Sequence, residues 1–106
     1  MRLAITTLTG LLLAGMAHAQ SEDWMMEDCI VATQSYFQEF EARTDMKYEG
    51  QRTDGTFAIN GSIYLETGSD DVQCSYASDG QTMVDYFAEG EAHPDFAKGG
   101  KSPYMD

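Results

Sequence analysis

The sequence predicts a small α+β domain: one N-terminal amphipathic helix packed on an antiparallel meander of about four strands, closed by one disulfide. Three observations carry that prediction. A single stretch, 21–41, repeats its apolar residues at spacings of three and four, the period of a helix. The stretches that follow alternate apolar with polar residues, the period of a sheet covered on one side. The chain past residue 20 holds two cysteines, one in each kind of element.

In the helix, Ser21 is the expected N-cap, with Glu22 and Asp23 in the first turn where the helix dipole favours negative charge. Met26, Cys29, Ile30, Thr33, Tyr36, Phe37 and Phe40 form the expected apolar face. A first strand is expected at Met46 to Arg52, followed by a turn at Thr53-Asp54-Gly55. The next, Thr56 to Glu66, places Phe57, Ile59, Gly61, Ile63 and Leu65 on one face. Asn60-Gly61 is a strong hairpin signal. A turn there would send Phe57 and Ile63 to opposite faces, so a continuous strand is the better reading, with Gly61 as a bulge or a site of close helix approach. Asp71 to Tyr76 and Thr82 to Phe87 complete the meander. In the first of these Val72, Cys74 and Tyr76 share a side. In the second Val84 and Tyr86 oppose Met83, Asp85 and Phe87.

The domain is bracketed by two other segments. The chain opens MRLAITTLTGLLLAGMAHAQ, with Arg2 before an apolar run and Ala17-His18-Ala19 as a small-x-small cleavage site. The run is too short to span a hydrocarbon core of roughly 30 Å. Residues 1–19 therefore read as a signal peptide cleaved after Ala19, and Gln20 stands where a lipoprotein would carry its cysteine. The expected mature chain is periplasmic or secreted, with no membrane insertion after cleavage. The folded domain is expected at 20–88. Residues 89–106, with both prolines and no apolar period, are expected to be a flexible C-terminal tail. Phe96 and Tyr104 are the residues there able to dock.

Eighteen acidic residues face six basic ones, a net charge of −12. Such a surface repels phosphates and anionic lipids, which argues against nucleic acid as a partner. Export and two cysteines together point to a structural disulfide, Cys29 to Cys74, because exported chains fold in an oxidising compartment. Both cysteines lie on the faces expected to meet. They are too far apart for a redox Cys-x-x-Cys motif, and Asp28 and Asp71 would disfavour a thiolate.

Signals of chemistry are sparse. His93, the single histidine past the leader, sits in the expected tail, which gives it no rigid setting for a hydrolase triad. No phosphate loop, nucleophile elbow or zinc-protease motif occurs. No catalytic residue, cofactor or metal ligand is assigned, and the protein is expected not to be an enzyme. Asp70, Asp71 and Asp79, in turns across an expected hairpin, are the candidates for a weak calcium site. A small carboxylate-based hydrolase is a further alternative. The methionines Met25, Met26, Met46, Met83 and Met105 are scattered, which argues against a copper site.

The sequence reads best as a non-enzymatic protein-binding or inhibitor-like module. Trp24 and Met25 at the helix start, and Tyr64, Met83 and Phe87 on the outer sheet face, are the candidate contacts with an envelope or secreted partner.

Cys29-Ile30-Val31-Ala32, the strand Phe57 to Leu65 with Gly61, and Cys74 followed by Gly80 resemble the pattern of a group of small, uncharacterised periplasmic proteins of proteobacteria. The resemblance covers about residues 28–87, with Val72 where members often carry an aromatic residue. It implies a stapled helix-on-sheet fold and periplasmic residence, and no activity. The outline also resembles PepSY-type domains, which are associated with binding or inhibiting peptidases.

Overall fold

In a computed structural model, which describes residues 21–104, one helix packs on one face of a five-stranded antiparallel sheet. Helix α1 (residues 21–37) precedes strands β1 (Arg43–Gln51), β2 (Phe57–Leu65), β3 (Gly68–Tyr76), β4 (Met83–Ala88) and β5 (Glu91–Ala92). A single turn of helix, α2 (Pro94–Ala97), follows. The sheet order is the sequence order, a meander. The α+β class, the helix on the sheet and the disulfide are as the sequence predicts, with a fifth short strand added. The expected leader, Gln20 and Met105 lie outside the described residues.

Helix α1 buries Cys29, Thr33, Tyr36 and Phe37 of the expected face, with Met25 taking the place expected of Met26. Met26 and Ile30 are only half-buried. It is also shorter than expected. Gln38 adopts a left-handed φ of 56°, its N–H bonds the Ser35 carbonyl, and Glu39 N–H bonds the Gln34 carbonyl. That is a helix-ending turn made without glycine. Phe40 consequently lies past the helix and is 63% exposed instead of joining its apolar face. Ser21 is already helical, so it does not stand as the N-cap.

Strand β2 runs unbroken through Asn60-Gly61, pairing with β1 and β3 without a shift at either residue. Gly61 is neither turn nor bulge, and the close approach there is made by β1 and not by the helix. A Cβ there would overlap the Asp45 carbonyl oxygen and the Met46 sulfur, so the missing side chain is what lets Met46 lie across β2. The Met46 Sδ in turn lies 3.9 Å from Cys29 Sγ. Cys29 and Cys74 are bonded, with Cα atoms 5.9 Å apart and both residues fully buried.

Two bulges set which side chains face the helix. One skips Glu49 in β1, where Gly50 has a φ of 93°. The other falls between Ser75 and Tyr76, so that Tyr76 pairs with Met83 and Val84 is the extra residue. Strict alternation would put Met83 outside. The bulge turns it inward, against the core. The sequence expectation of Met83 beside Phe87 on the outer face is corrected accordingly.

The expected tail is not free between residues 89 and 104. Glu89 and Gly90, both at positive φ, turn β4 back into β5 in the manner of a two-residue hairpin. Phe96 then packs on Tyr36 and Tyr86, with ring centroids 5.2 Å apart in both cases. Tyr104 closes on Tyr36 and Phe37. The Ser102 hydroxyl donates to the Tyr36 carbonyl, serving a helix-end acceptor that would otherwise lack a partner. Aromatic contacts and capping, features that no apolar period announces, hold this segment in place.

Two outcomes test this packing. Gly61→Ala should lower stability by about 1–3 kcal/mol, since backbone of β1 must move to admit the methyl group; denaturant titration measures it. Reducing the disulfide, which joins residues 45 apart in sequence, should cost about 4 kcal/mol on chain-entropy grounds. The same titration with and without reductant reads that loss.

Candidate functional site

The helix covers one face of the sheet and leaves the other uncovered among the described residues. Register places the outward side chains of four strands in rows. Arg43, Tyr64 and Ser69 form one row, and Asp45, Ser62 and Asp71 the next. Lys47, Asn60, Gln73 and Phe87 form the third, and Ala58, Ser75 and Asp85 the fourth. Together with Glu49, the second and third rows line a groove of about 540 Å³.

The groove floor is hydrogen-bonded across strands. Ser62 donates to Asp71 Oδ1 at 2.9 Å, and Gln73 Nε2 donates to Asn60 Oδ1 at 2.6 Å. At one end Tyr64 donates to Asp45 Oδ2 at 2.8 Å, with the Arg43 guanidinium 4.0 Å over its ring. The Tyr64 phenol is pushed up by that Asp45 bond and charge. At the other end Arg52 donates to Ser75 Oγ at 3.1 Å and to Thr56 Oγ1 at 3.0 Å. Phe87 forms the apolar wall and is 38% exposed. Carboxylates of Asp45, Glu49 and Asp71 rim the groove, with Lys47 among them.

The residues singled out from sequence sort as follows. Tyr64 and Phe87 both face outward, but they sit two strands and two rows apart and do not form one patch. Met25 is 2% exposed and belongs to the core, so it is withdrawn as a contact residue. Trp24 stays outside at 44% exposure, its ring edge-on to Tyr76 with centroids 6.1 Å apart. Asp70 and Asp71 lie near the start of β3 and Asp79 beyond its end, so the expected approach across one hairpin does not occur. Asp71 faces the groove. Asp70 Oδ2 accepts the Glu89 N–H at 3.0 Å. Asp79 is occupied by its own turn, accepting from Gln81 N–H, Thr82 N–H and the Thr82 hydroxyl, and the amide of Gln81 foremost holds its carboxyl below the usual range. Among the described residues, no three His, Cys, Asp or Glu side chains come together as a metal site.

A second polar cluster lies under the docked C-terminal segment, and the sequence reading missed it. Tyr36 donates its hydroxyl to Glu89 Oε1 at 2.8 Å, and Tyr104 donates to Glu89 Oε2. His93 Nε2 lies 3.1 Å from both the Tyr36 oxygen and the Ala88 carbonyl. The single Tyr36 proton is directed at Glu89, so both His93 contacts require the proton on Nε2. His93 is thus half-buried against Tyr36 in place of the expected solvated histidine. Its role in this arrangement is to fasten the segment, because Nε2 and both Glu89 oxygens are already engaged. The available signal was Glu89-Gly90, a hairpin dipeptide read as tail.

No protein-family model, curated protein or solved structure matches this chain. Among the described residues, no helix is long and apolar enough to cross a membrane.

Tyr36, Tyr76 and Tyr86 are each fully buried, and burial foremost raises all three phenols far above the ordinary 10.0. Glu89 adds to the effect at Tyr36 and Asp28 at Tyr76. A phenol with a raised folded-state pKa stabilises the fold below the unfolded value and loses that contribution as pH rises above it. Stability should therefore hold up to about pH 10 and fall steeply beyond. Tyrosinate absorbance from these residues should appear only together with unfolding, which an alkaline titration followed by circular dichroism checks.

Proposed function

We propose that the chain is an exported, non-enzymatic protein-binding module, inhibitor-like in its mode of action. Its uncovered sheet face engages another envelope or secreted protein. The observation that carries the reading is the outer groove: a rigid, four-strand surface with a pre-paired polar floor, an exposed phenylalanine and a carboxylate rim. Exposed aromatic side chains are enriched at interface centres. A floor whose side chains are already tied across strands has less side-chain freedom to lose on contact. The rim favours a partner that presents basic or apolar side chains.

Export is supported by the leader pattern of residues 1–19 and by a disulfide that an oxidising compartment would form. Trp24, propped on Tyr76 at the helix start, is a separate and smaller contact candidate.

A photo-crosslinking amino acid at Gln73, in the groove floor, should trap one discrete partner in the exporting cell. The same group at Glu27, on the exposed side of α1, should not. Phe87→Asp should abolish the Gln73 adduct while leaving the melting temperature nearly unchanged. Adducts of equal yield from both positions, or none from Gln73, would count against this reading.

A further inference from the structure

The exposed edge of the sheet carries a charge pattern that is complementary to itself reversed. Strand β1 has a neighbour on one side only, β2, so the backbone groups along its other side meet no strand among the described residues. Its pairing with β2 is regular from Arg43 to Tyr48, with no proline. Its outward residues read Arg43, Asp45, Lys47, Glu49, alternating in sign. The side chains of Arg43, Asp45 and Lys47 are 69%, 63% and 79% exposed and that of Glu49 35%, with Arg43 3.8 Å from Asp45 and Lys47 3.7 Å from Glu49 along the strand. No residue of β1 is buried: even the inward-facing Thr44, Met46 and Tyr48 are only half covered.

We propose that two copies of the chain associate through β1, antiparallel and about a two-fold axis at Met46, into one continuous sheet. The proposal is independent of the partner reading above. In that register Asp45 of each copy stands opposite Lys47 of the other, and Arg43 opposite Glu49. On the inner face Met46 meets Met46, and Thr44 meets Tyr48, covering apolar area that the monomer leaves half exposed. Opposite charges directly across an antiparallel pair stabilise it, and like charges oppose it.

The Met46 axis uses the charge pattern most fully. Sliding the axis to Asp45 sets Asp45 against Asp45 and Arg43 against Lys47. Sliding it to Lys47 sets Lys47 against Lys47 and Asp45 against Glu49. Both shifted registers are like-charged throughout. Axes at Thr44 and Tyr48 keep a single kind of opposite pair within the strand, Arg43 with Asp45 or Lys47 with Glu49, so the Met46 axis is the one that pairs all four charges. An isologous interface needs this self-complementarity.

The scarcity of basic residues sharpens the argument. Arg43, Lys47, Arg52, Lys98 and Lys101 are the Lys and Arg of the described residues, in a chain of net charge −12. Over most of the surface two copies repel. Strand β1 is where cations alternate with anions on a free edge. At physiological ionic strength the screening length is about 8 Å. The long-range repulsion is then damped while contact pairs inside the new sheet are not.

An edge strand studded with charge also serves to keep sheets from joining, and the experiment separates the two roles. Sedimentation equilibrium of the oxidised protein at physiological salt should show a concentration-dependent dimer. Asp45→Lys alone and Lys47→Asp alone each set like charges at both central pairs and should weaken association by about tenfold or more. Mixing the two variants sets two positive side chains against two negative ones and should restore a dimer, now a heterodimer. The double variant Asp45→Lys/Lys47→Asp should restore the homodimer, which guards against a folding defect in either single change. A wild-type protein that stays monomeric at millimolar concentration would overturn the proposal. So would single variants that associate as tightly as wild type, or a mixture no more associated than its components.

Discussion

Burying three tyrosines in a domain this small means finding a partner for each hydroxyl away from water, and those partners organise the contact between helix and sheet. Tyr86 on β4 donates to Thr33 Oγ1 at 3.1 Å. Tyr76 on β3 donates to Asp28 Oδ2 at 2.7 Å and lies 3.2 Å from the Met25 carbonyl. Tyr36 on α1 reaches the other way, to Glu89 beyond the end of β4. An unmade bond at any of these would cost about 1–3 kcal/mol, so the helix is held in both rotation and translation. The helical phase follows from this. Thr33 takes a fully buried position because Tyr86 needs an oxygen there, and among the described residues no buried side-chain polar atom lacks a partner.

The disulfide and Gly61 belong to the same layer. Cys29 is four residues before Thr33 and so on the same helical stripe, and Cys74 pairs with Ile59 and Tyr86 across the sheet. The bond therefore sits in the middle of the contact, between the Tyr76 and Tyr86 anchors. Met46 lies over Gly61 beside it. At the far end of α1 the core would stop at Tyr36 and Phe37 if the chain ended with β4. Phe96, Ser102 and Tyr104 complete it from residues that carry no secondary-structure period.

What the sequence made legible was whatever rests on a regular period or on covalent chemistry. The alternation in Phe57 to Leu65 outweighed the Asn60-Gly61 hairpin signal, because breaking that strand would have divided its apolar face. The cysteine pair followed from compartment and face. Three features escaped for physical reasons. The ends of the helix stripe were misread, Met26 for Met25 at the start and Phe40 past the last turn, because apolar character alone does not tell which of two neighbours faces the sheet or where the helix stops. Met83 changed sides because a bulge at Ser75/Tyr76 is an insertion in register, and a period of two cannot announce its own interruption. Of the docking of 91–104 only the two candidates Phe96 and Tyr104 were legible, because it depends on isolated aromatic residues meeting Tyr36, a tertiary event. On the outer face, the outward placing of Tyr64 and Phe87 was legible. The rows of that face were not, since they exist only once four strands are in register.

With one face of the sheet committed to the helix, the tyrosines and the staple, the outer face and the β1 edge are the surfaces where sequence is least constrained by folding. The polar ladder there is itself informative. Ser62 with Asp71, and Asn60 with Gln73, pair with each other across strands, which fixes the positions of these side chains before any contact. A floor held in this way has less side-chain freedom to lose on meeting a second protein. Discrimination then falls to the two sides of the groove: Phe87 on one, and on the other the alternating charges of β1, which pair along their own strand as Arg43–Asp45 and Lys47–Glu49.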